Sequence, residues 1–406
     1  MPIRVAFATN FISPYRVALY AALARTTDWR LKVFSCCEME FDRRWRPVHD
    51  FPFAHKKSFN LSYRRLDRHP GRVGFTDKRQ VHIPLGLWFD LWRFRPDVVI
   101  SDDMGARSLI AATYALLTRK RLVIWFYCTL HTERDISWKQ RLLRKVLIRT
   151  ADAFIGMGIE ARRYLESLGV HPEAIFDARN AIDIGPFQSQ VGEQRRISVR
   201  RRLQVSGLCF LYVGRINQLK GVDRLLEAWD VFYAQNGVEA TLVLAGDGPE
   251  RPNLEKSVAS CGLSNVRFLG HVEPEELPEI FLAADVFVFP TLQDVWGLVV
   301  NEAMTFGLPV ICSKYAGCAP DLIIQDRNGW IVDPVDREDL LRALRKAWDA
   351  RDKKEDMAEA ARESVAGLTI PSMAEGFCRA VEYAQSNRSC DRKTPKWLGL
   401  RRISDR

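Results

Sequence analysis

The chain has 406 residues, of which 47% are hydrophobic, and a formal net charge of +10. This is enough apolar material for two domains of ordinary size, each with its own core. The chain contains no run of about 18 apolar residues, and its N-terminus leads directly into a strand, so we expect neither a membrane-spanning helix nor a secretory signal, and a cytoplasmic location. Nine cysteines without Cys-x-x-Cys spacing indicate reduced core residues and exclude a disulfide or zinc framework.

The positive charge is concentrated in three segments. Residues 41–72 contain nine Lys/Arg and three Asp, residues 138–149 contain five Lys/Arg and no acid, and residues 388–406 contain seven Lys/Arg and two Asp. A local basic surface favours an anionic partner more than a uniform charge would.

The first part of the chain begins with a strand predicted over Ile3–Ala8 and a helix over Arg16–Arg25. The turn between them lacks the glycines of a dinucleotide loop, which argues against an oxidoreductase. Residues 35–82 are the least regular stretch, and they mix basic residues with six aromatic ones within 41–63. We interpret this stretch as an acceptor-side insertion that stacks on sugar rings, rests on lipid headgroups or binds nucleic acid.

Helices and strands alternate after this insertion, which predicts an α/β fold with parallel sheets. The strand over Leu122–Tyr127 ends near His131, and a lone histidine of this kind is more often structural than functional. The helix over 138–149 has an apolar stripe that includes Trp138 and Leu142, surrounded by five cations. An ordinary domain helix and a membrane-surface helix explain this helix equally well.

Four loops in the second half follow predicted strands, and the carboxyl ends of parallel strands meet at one edge, where ligands bind. Arg215 and Lys220 lie in the first loop, where both can reach one diphosphate. The other loops contribute Gly246 and Gly248, then His271 and Val272, and finally the stretch from Asp294 to Gly307. We expect these loops to face one crevice, which is a more specific signal than any single motif.

The last of these loops leads into a helix that begins near Gly297 and ends by Phe306. On that helix Glu302 falls on the apolar stripe with Val299, Ala303 and Phe306, where a carboxylate needs a partner. Gly297 allows close approach of a ligand and offers free N–H groups to an anion. Without further information, Asp294 as a helix N-cap and Glu302 as an edge charge are an equally good interpretation.

The stretch Asp294, Glu302-Ala303-Met304, Gly307 and Pro309-Val310 resembles the acidic motif of the family 4 retaining glycosyltransferases, with Asp294 where the family usually has Glu. Gly214, Arg215, Lys220 and Gly221 resemble that family's diphosphate loop. The resemblance covers residues 1 to about 385 and implies a GT-B fold, with two Rossmann-like domains facing a deep crevice. It implies an acceptor-side domain over 1–185, a linker over 186–200, a donor domain over 201–370, a helix over 371–387 that crosses back, and a basic tail over 388–406.

The resemblance also implies roles for single residues. Arg215 and Lys220 hold the donor diphosphate, Glu302 the ribose hydroxyls, Asp294 a sugar hydroxyl and His131 the far edge of the sugar. The same crevice is expected to bind the donor through Gly214, Gly246, Gly248, His271, Val272, Gly297 and Leu298.

We therefore predict a retaining hexosyltransferase-type enzyme that transfers a sugar from a nucleoside-diphosphate sugar to an acceptor hydroxyl, in polysaccharide, lipopolysaccharide or glycolipid biosynthesis. The expected partners are the nucleotide-sugar donor and a glycan or lipid-linked acceptor. We also expect peripheral contact with anionic lipid at the inner face of the cell membrane, and no binding of nucleic acid. We expect neither a cofactor nor a metal, because Asp102-Asp103 lacks the spacing of an Asp-x-Asp motif. The alternatives are a nucleotide-sugar epimerase on the same scaffold and a nucleic-acid-binding protein.

Overall fold

A computed structural model describes residues 2–25, 29–40, 48, 50–68, 76–183, 192–236 and 239–386 of the chain. In the first half, seven strands form a parallel sheet in the order β3-β2-β1-β6-β7-β8-β9, and β4 and β5 pair as a separate antiparallel hairpin. These strands are β1 (Ile3–Thr9), β2 (Trp29–Ser35), β3 (Ala54–Lys57), β4 (Leu61–Arg68), β5 (Thr76–Ile83), β6 (Val98–Asp102), β7 (Arg121–Phe126), β8 (Ala153–Gly156) and β9 (Ile175–Asp177).

In the second half, six parallel strands form a sheet in the order β12-β11-β10-β13-β14-β15. They are β10 (Leu208–Val213), β11 (Ala240–Ala245), β12 (Val266–Gly270), β13 (Val286–Phe289), β14 (Val310–Ser313) and β15 (Gly329–Val332). The strand order reverses between β10 and β13, and such a switch point opens a crevice at the carboxyl ends of the two strands. The loops that carry Arg215 and Asp294 leave the sheet at these two ends.

Helices connect the strands of both sheets. They are α1 (Pro14–Ala24), α2 (Leu85–Phe94), α3 (Ala106–Thr118), α4 (Trp138–Thr150), α5 (Gly158–Ser167), α6 (Glu193–Arg202), α7 (Val222–Asn236), α8 (Arg251–Ser260), α9 (Leu277–Ala283), α10 (Leu298–Thr305), α11 (Ala319–Leu322), α12 (Arg337–Asp349), α13 (Lys354–Ala366) and α14 (Ile370–Ser386). Within the described ranges, none of these helices has the length and apolar character needed to cross a bilayer.

The C-terminal helix α14 lies against the first sheet although it follows the second one in the chain. It contacts α1 and the strands β7, β8 and β9. The Phe377 ring lies 5.1 Å from Trp125 and 5.8 Å from Phe7. Because one continuous apolar cluster contains buried residues of both sheets and of α14, the two halves share part of their core.

The stretch 35–82 is more regular than its sequence suggested. The strand β3 extends the first sheet by parallel pairing with β2, and Ser58 after it donates a hydrogen bond to Asp90 of α2 at 2.7 Å. The sequence of β3, Ala-His-Lys-Lys, has no apolar alternation because it is a short edge strand whose side chains are largely exposed. Of the aromatic residues in this stretch, Phe53 packs 5.6 Å from Tyr20, Phe59 and Tyr63 are exposed, and Phe41 and Trp45 lie outside the described residues.

Part of the predicted linker over 186–200 is helical. Residues 184–191 lie outside the described ranges, but α6 begins at Glu193 and packs against α9. Arg196 and Arg200 of α6 form ion pairs with the buried carboxylate of Asp285, at 2.5 and 2.8 Å. The many cations of α6 give it the composition of a solvated linker. The sequence does not predict its packing because the buried anion that binds these cations, Asp285, is distant along the chain.

One of the five cations predicted for the surface of the helix over 138–149 is buried. Arg144 forms an ion pair with Glu133 at 2.6 Å, and its guanidinium lies 5.5 Å from the Phe126 ring. The basic surface of α4 therefore consists of Lys139, Arg141, Lys145 and Arg149. The predicted basic tail, 388–406, lies outside the described residues.

Candidate functional site

The loops that follow β10, β11, β12 and β13 surround a cavity of about 640 Å³, which we call the donor cavity. All of the predicted site residues except His131 and Leu298 line it: Gly214, Arg215, Lys220, Gly246, Gly248, His271, Val272, Asp294, Gly297 and Glu302. The predicted convergence of four strand ends on one space is thus present in the structure. The functional roles of these residues remain predictions.

Glycines let the backbone approach this cavity closely. Gly246 has a φ of +147°, and a Cβ at this position would collide with the carbonyl oxygen of Gly214. A Cβ on Gly248 would collide with the backbone of Ile216. Any side chain at either position would therefore displace the loops that form the cavity wall.

Gly297 sits at the N-cap of α10 with a φ of +98°, a left-handed conformation that favours glycine. A Cβ here would lie 2.6 Å from the Phe289 ring. This glycine therefore sets the direction in which α10 leaves the loop, and with it the position of Glu302 one turn later. The predicted start of this helix near Gly297 is thus confirmed, and the alternative interpretation of Asp294 as the helix N-cap is wrong, because Gly297 occupies that position.

Lys220 and Asp294 meet at the mouth of the donor cavity. The Lys220 ammonium lies 2.6 Å from Asp294 Oδ2, and Asp294 Oδ1 accepts a hydrogen bond from the Trp296 backbone N–H at 3.1 Å. Lys220 ends a short 3₁₀ helix, Gln218–Lys220, and Gly221 follows it with a φ of +64°. The residue predicted for the diphosphate and the residue predicted for the sugar are therefore in direct contact.

Glu302 is half-buried in the wall of the donor cavity. Within the part of the chain that the structure describes, its carboxylate has neither a hydrogen-bond nor an ion-pair partner, and desolvation raises its pKa to about 7. The core-facing side of α10 consists of Val300, Ala303 and Met304. The apolar stripe predicted to contain Glu302 with Ala303 is thus divided, because the side with Glu302 and Val299 faces the cavity instead of the core.

A second cavity of about 430 Å³, which we call the interdomain cavity, lies between the two sheets. Its second-half wall contains Lys220, Asp294, Gly297 and Leu298, of which the first three also line the donor cavity. Its first-half wall combines aromatic residues, such as Tyr15 and Trp125, with the polar residues Asn10, Ser13, Arg16, Glu40 and Asp102. The two cavities therefore meet at the Lys220–Asp294 pair.

The sequence interpretation did not assign roles to Arg16, Glu40 and Asp102. Asp102 ends β6 and is buried; Thr9 donates a hydrogen bond to its carboxylate at 2.7 Å, and Arg107 forms an ion pair with it. Burial raises the pKa of Asp102 above its ordinary value, although the charge of Arg107 acts in the opposite direction. Its position at the carboxyl end of a strand was the signal that could have identified it.

His131 lies where the two halves of the molecule meet, beside the Lys220 loop. Its Nε2 is 2.9 Å from the carbonyl oxygen of Leu292, and its ring stacks on Tyr315 with centroids 4.2 Å apart. The ring thus connects the loop after β7 to loops of the second half. The contact between His131 and a donor sugar remains a prediction.

The chemistry available in this site is anion binding and hydroxyl binding. No group of three or more His, Cys, Asp or Glu side chains arranged to hold a metal ion occurs among the described residues. Arg215 and Lys220 supply positive charge, and Glu302 and Asp294 supply oxygens that accept hydrogen bonds from hydroxyls.

Comparison with known proteins identifies glycosyltransferases with similar sequences. Residues 194–364 match the family model of the glycosyl transferases of group 1. Sulfoquinovosyl transferase SQD2 of Arabidopsis thaliana is 36% identical over 156 residues, which are 38% of this chain and 29% of that protein. Alpha-D-kanosaminyltransferase of Streptomyces kanamyceticus is 27% identical over 299 residues, which are 68% of this chain and 77% of that protein.

The structural comparison extends over nearly the whole chain. The crystal structure of Anabaena HepE in complex with UDP superimposes with a TM-score of 0.73 at 17% identity, covering 94% of this chain and 100% of that one. The sequence match, in contrast, spans less than a third of the length of the Arabidopsis relative. The fold is therefore GT-B, and residues 194–364, which form most of the donor cavity, are similar to the glycosyl transferases of group 1.

Proposed function

We propose that the chain is a retaining glycosyltransferase that moves a sugar from a nucleoside-diphosphate sugar to an acceptor hydroxyl without a metal ion. The observation that carries this proposal is the composition of the donor cavity, which is lined by Arg215, Lys220 and Glu302, a half-buried carboxylate that has no hydrogen-bond or ion-pair partner among the described residues. Cations and a carboxylate that accepts hydrogen bonds from hydroxyls, in one cavity, match the diphosphate and the ribose of a nucleotide sugar. The presence of UDP in the HepE structure supports the same class of donor.

In the proposed mechanism the protein stabilises the charge that grows on the leaving nucleoside diphosphate. As the bond between the sugar and the diphosphate breaks, Arg215 and Lys220 offset the developing negative charge, and the N-terminus of α10 at Gly297 adds its partial positive charge. Asp294 accepts a hydrogen bond from a sugar hydroxyl next to this position. Glu302 accepts hydrogen bonds from the ribose hydroxyls and fixes the nucleotide in the cavity.

The interdomain cavity is the proposed acceptor site. It adjoins the donor cavity at Lys220 and Asp294, and its polar residues Asn10, Arg16 and Glu40 suit a hydroxyl-rich glycan or the sugar part of a lipid-linked acceptor. We propose a role in polysaccharide, lipopolysaccharide or glycolipid biosynthesis, at the cytoplasmic face of a membrane. A sulfoquinovosyl transferase and a kanosaminyltransferase among the relatives are consistent with sugar transfer in general.

A nucleotide-sugar epimerase has less support. Its chemistry requires catalytic acids in the crevice of the first domain, but Asp102 there is already bound by Arg107 and Thr9. The relatives named above are transferases, and none is named as an epimerase. A nucleic-acid-binding protein would leave the donor cavity without a role.

The proposal predicts that sugar transfer continues in excess EDTA and that the product keeps the anomeric configuration of the donor. Fixed cations and a helix N-terminus already face the diphosphate, so a metal is not required to stabilise it. Release of nucleoside diphosphate with and without EDTA, together with proton NMR of the product anomer, measures both properties. Loss of activity on chelation that Mg²⁺ or Mn²⁺ restores would contradict the metal-independent mechanism, and an inverted product would contradict retention.

A further inference from the structure

Three large apolar side chains are exposed along the solvent side of α2. Leu85, Phe89 and Trp92 recur at the i, i+4, i+7 spacing of one helix face, and Phe89 is 73% exposed. Leu87 and Leu91, on the opposite side, are buried against the sheet. The exposed stripe is therefore additional to the stripe that packs this helix into the core, which is uncommon for a helix at a water-exposed surface.

The neighbouring helices have the same character. On α3, Leu109, Leu116 and Leu117 are exposed, and Leu117 is exposed to 68%. On α4, Trp138 is 69% exposed and Leu142 is 55% exposed, one turn apart. Exposed apolar residues scattered singly are ordinary, but here they recur on adjacent helices, since α2 contacts α3 and α3 contacts α4. Groups of exposed apolar side chains of this kind mark interaction sites.

The three stripes lie on one side of the molecule. The buried sides of α2, α3 and α4 all contribute to one apolar cluster on a single face of the first sheet. The Trp92 ring of α2 lies 6.1 Å from Tyr114 of α3, and α3 also contacts α4. Their solvent sides therefore point away from the sheet together, and we name this surface the outer face.

The charges on the outer face are all positive. The single acidic residue in the three helices, Asp90, is buried and bound by Lys56 and Ser58. The exposed cations are Arg93 on α2 and, on α4, Lys139, Arg141, Lys145 and Arg149. A second copy of this chain docked face to face would bring these cations together, so the charge pattern disfavours self-association.

We propose that the outer face docks on an anionic lipid bilayer, with Phe89, Trp92 and Leu117 entering the interfacial region and the cations of α4 lying among the headgroups. Exposed aromatic and aliphatic side chains beside cations only are the chemistry that binds an amphipathic surface to anionic lipid. This inference does not depend on the proposed transfer reaction. The sequence analysis considered only α4 as a membrane-surface helix, whereas the outer face adds the insertion of apolar side chains of α2 and α3 into the bilayer.

The test is cosedimentation of the full-length protein with vesicles of phosphatidylcholine, with and without phosphatidylglycerol. Phe89→Ser with Leu117→Ser should lower binding to the anionic vesicles roughly tenfold or more, because two side chains lose their burial in the interface. Lys139→Gln with Arg141→Gln and Lys145→Gln should remove the preference for anionic vesicles. High salt should weaken binding of the wild type without abolishing it, since salt screens only the electrostatic part.

A matched control removes exposed apolar side chains elsewhere. Ile324→Ser with Val335→Ser changes residues that are 47% and 62% exposed in the second half, and it should leave vesicle binding unchanged. All variants should keep the melting temperature of the wild type and its hydrolysis of sugar nucleotide in solution, because the substituted side chains are exposed. Equal vesicle binding by the wild type and the Phe89/Leu117 variant would overturn the proposal. A wild-type dimer that this variant dissociates, without vesicle binding, would overturn it too and would identify the outer face as a contact between copies.

Discussion

Replacing Lys220 with Ala should lower kcat by roughly 10² or more, and replacing Arg215 with Ala should have an effect of the same order. Each cation stabilises charge that is larger in the transition state than in the bound donor, so its loss raises the barrier more than it weakens binding. KM for the donor should change less than kcat. Steady-state kinetics with the sugar nucleotide as the varied substrate give both constants.

The interpretation of Lys220→Ala requires a control, because this change also leaves Asp294 without its ion pair. Lys346 forms a comparable pair with Asp326, at 2.9 Å, on the exposed surface of the same half of the molecule. Lys346→Ala breaks that pair, and kcat should stay at the wild-type value. Near-normal turnover in both Lys220→Ala and Arg215→Ala would show that the two cations do not hold the diphosphate.

The affinity for the donor should rise as the pH increases through about 7, and Glu302→Gln should remove this rise. The pKa of Glu302 is raised to about 7 by desolvation, so its carboxyl is largely protonated below this pH and ionised above it. The ionised form accepts charge-assisted hydrogen bonds from the ribose hydroxyls, each worth about 1.5–3 kcal/mol. At a pH well above this pKa, Glu302→Gln should therefore weaken donor binding by roughly tenfold or more.

Titration calorimetry with an intact sugar nucleotide at several pH values measures this effect, since the diphosphate diester of the donor does not itself titrate in this range. His271 lines the same cavity, so His271→Gln is the matched control and should preserve the rise. A rise that persists unchanged in Glu302→Gln would contradict the role given to Glu302.

The contribution of Glu302 to the free energy of unfolding should fall as the pH rises, whereas its contribution to donor affinity should increase. A carboxyl whose pKa is higher in the folded than in the unfolded protein contributes stability at low pH that is lost as the pH rises from its ordinary pKa of 4.5 through about 7. Glu302→Gln should therefore be more stable than the wild type at neutral and alkaline pH, on the order of 1 kcal/mol, and the difference should vanish in acid. Thermal unfolding as a function of pH measures it.

The donor cavity could be predicted from the sequence because its residues follow short apolar strands. Arg215, Gly246, His271 and Asp294 each follow a strand of a parallel sheet, and the carboxyl ends of such strands must meet at one edge. The direction of Glu302 was harder to predict. Helical spacing groups it with Ala303, whereas the structure separates the two because the helix has apolar neighbours on one side and a cavity on the other.

The features that the sequence did not predict depend on contacts between distant parts of the chain. Arg144 has the sequence context of a surface cation, and only the position of Glu133 in space makes it a buried one. Asp285 similarly receives Arg196 and Arg200 from a segment that composition predicts to be a linker. The strand β3 pairs at an edge of the sheet, where apolar alternation is not needed. In each case local pattern lacks the information because the partner is supplied by the tertiary fold.

The central claim, that the donor cavity binds a nucleoside-diphosphate sugar, is tested most directly by thermal unfolding with a panel of UDP-, GDP- and ADP-sugars. A donor present at about 100 times its Kd should stabilise the wild type by about 2.7 kcal/mol. Arg215→Ala with Lys220→Ala should lose most of this stabilisation while the unliganded double variant unfolds near the wild-type temperature. The account predicts that at least one sugar nucleotide stabilises the wild type and not the double variant; equal stabilisation of both proteins, or none by any member of the panel, would contradict it.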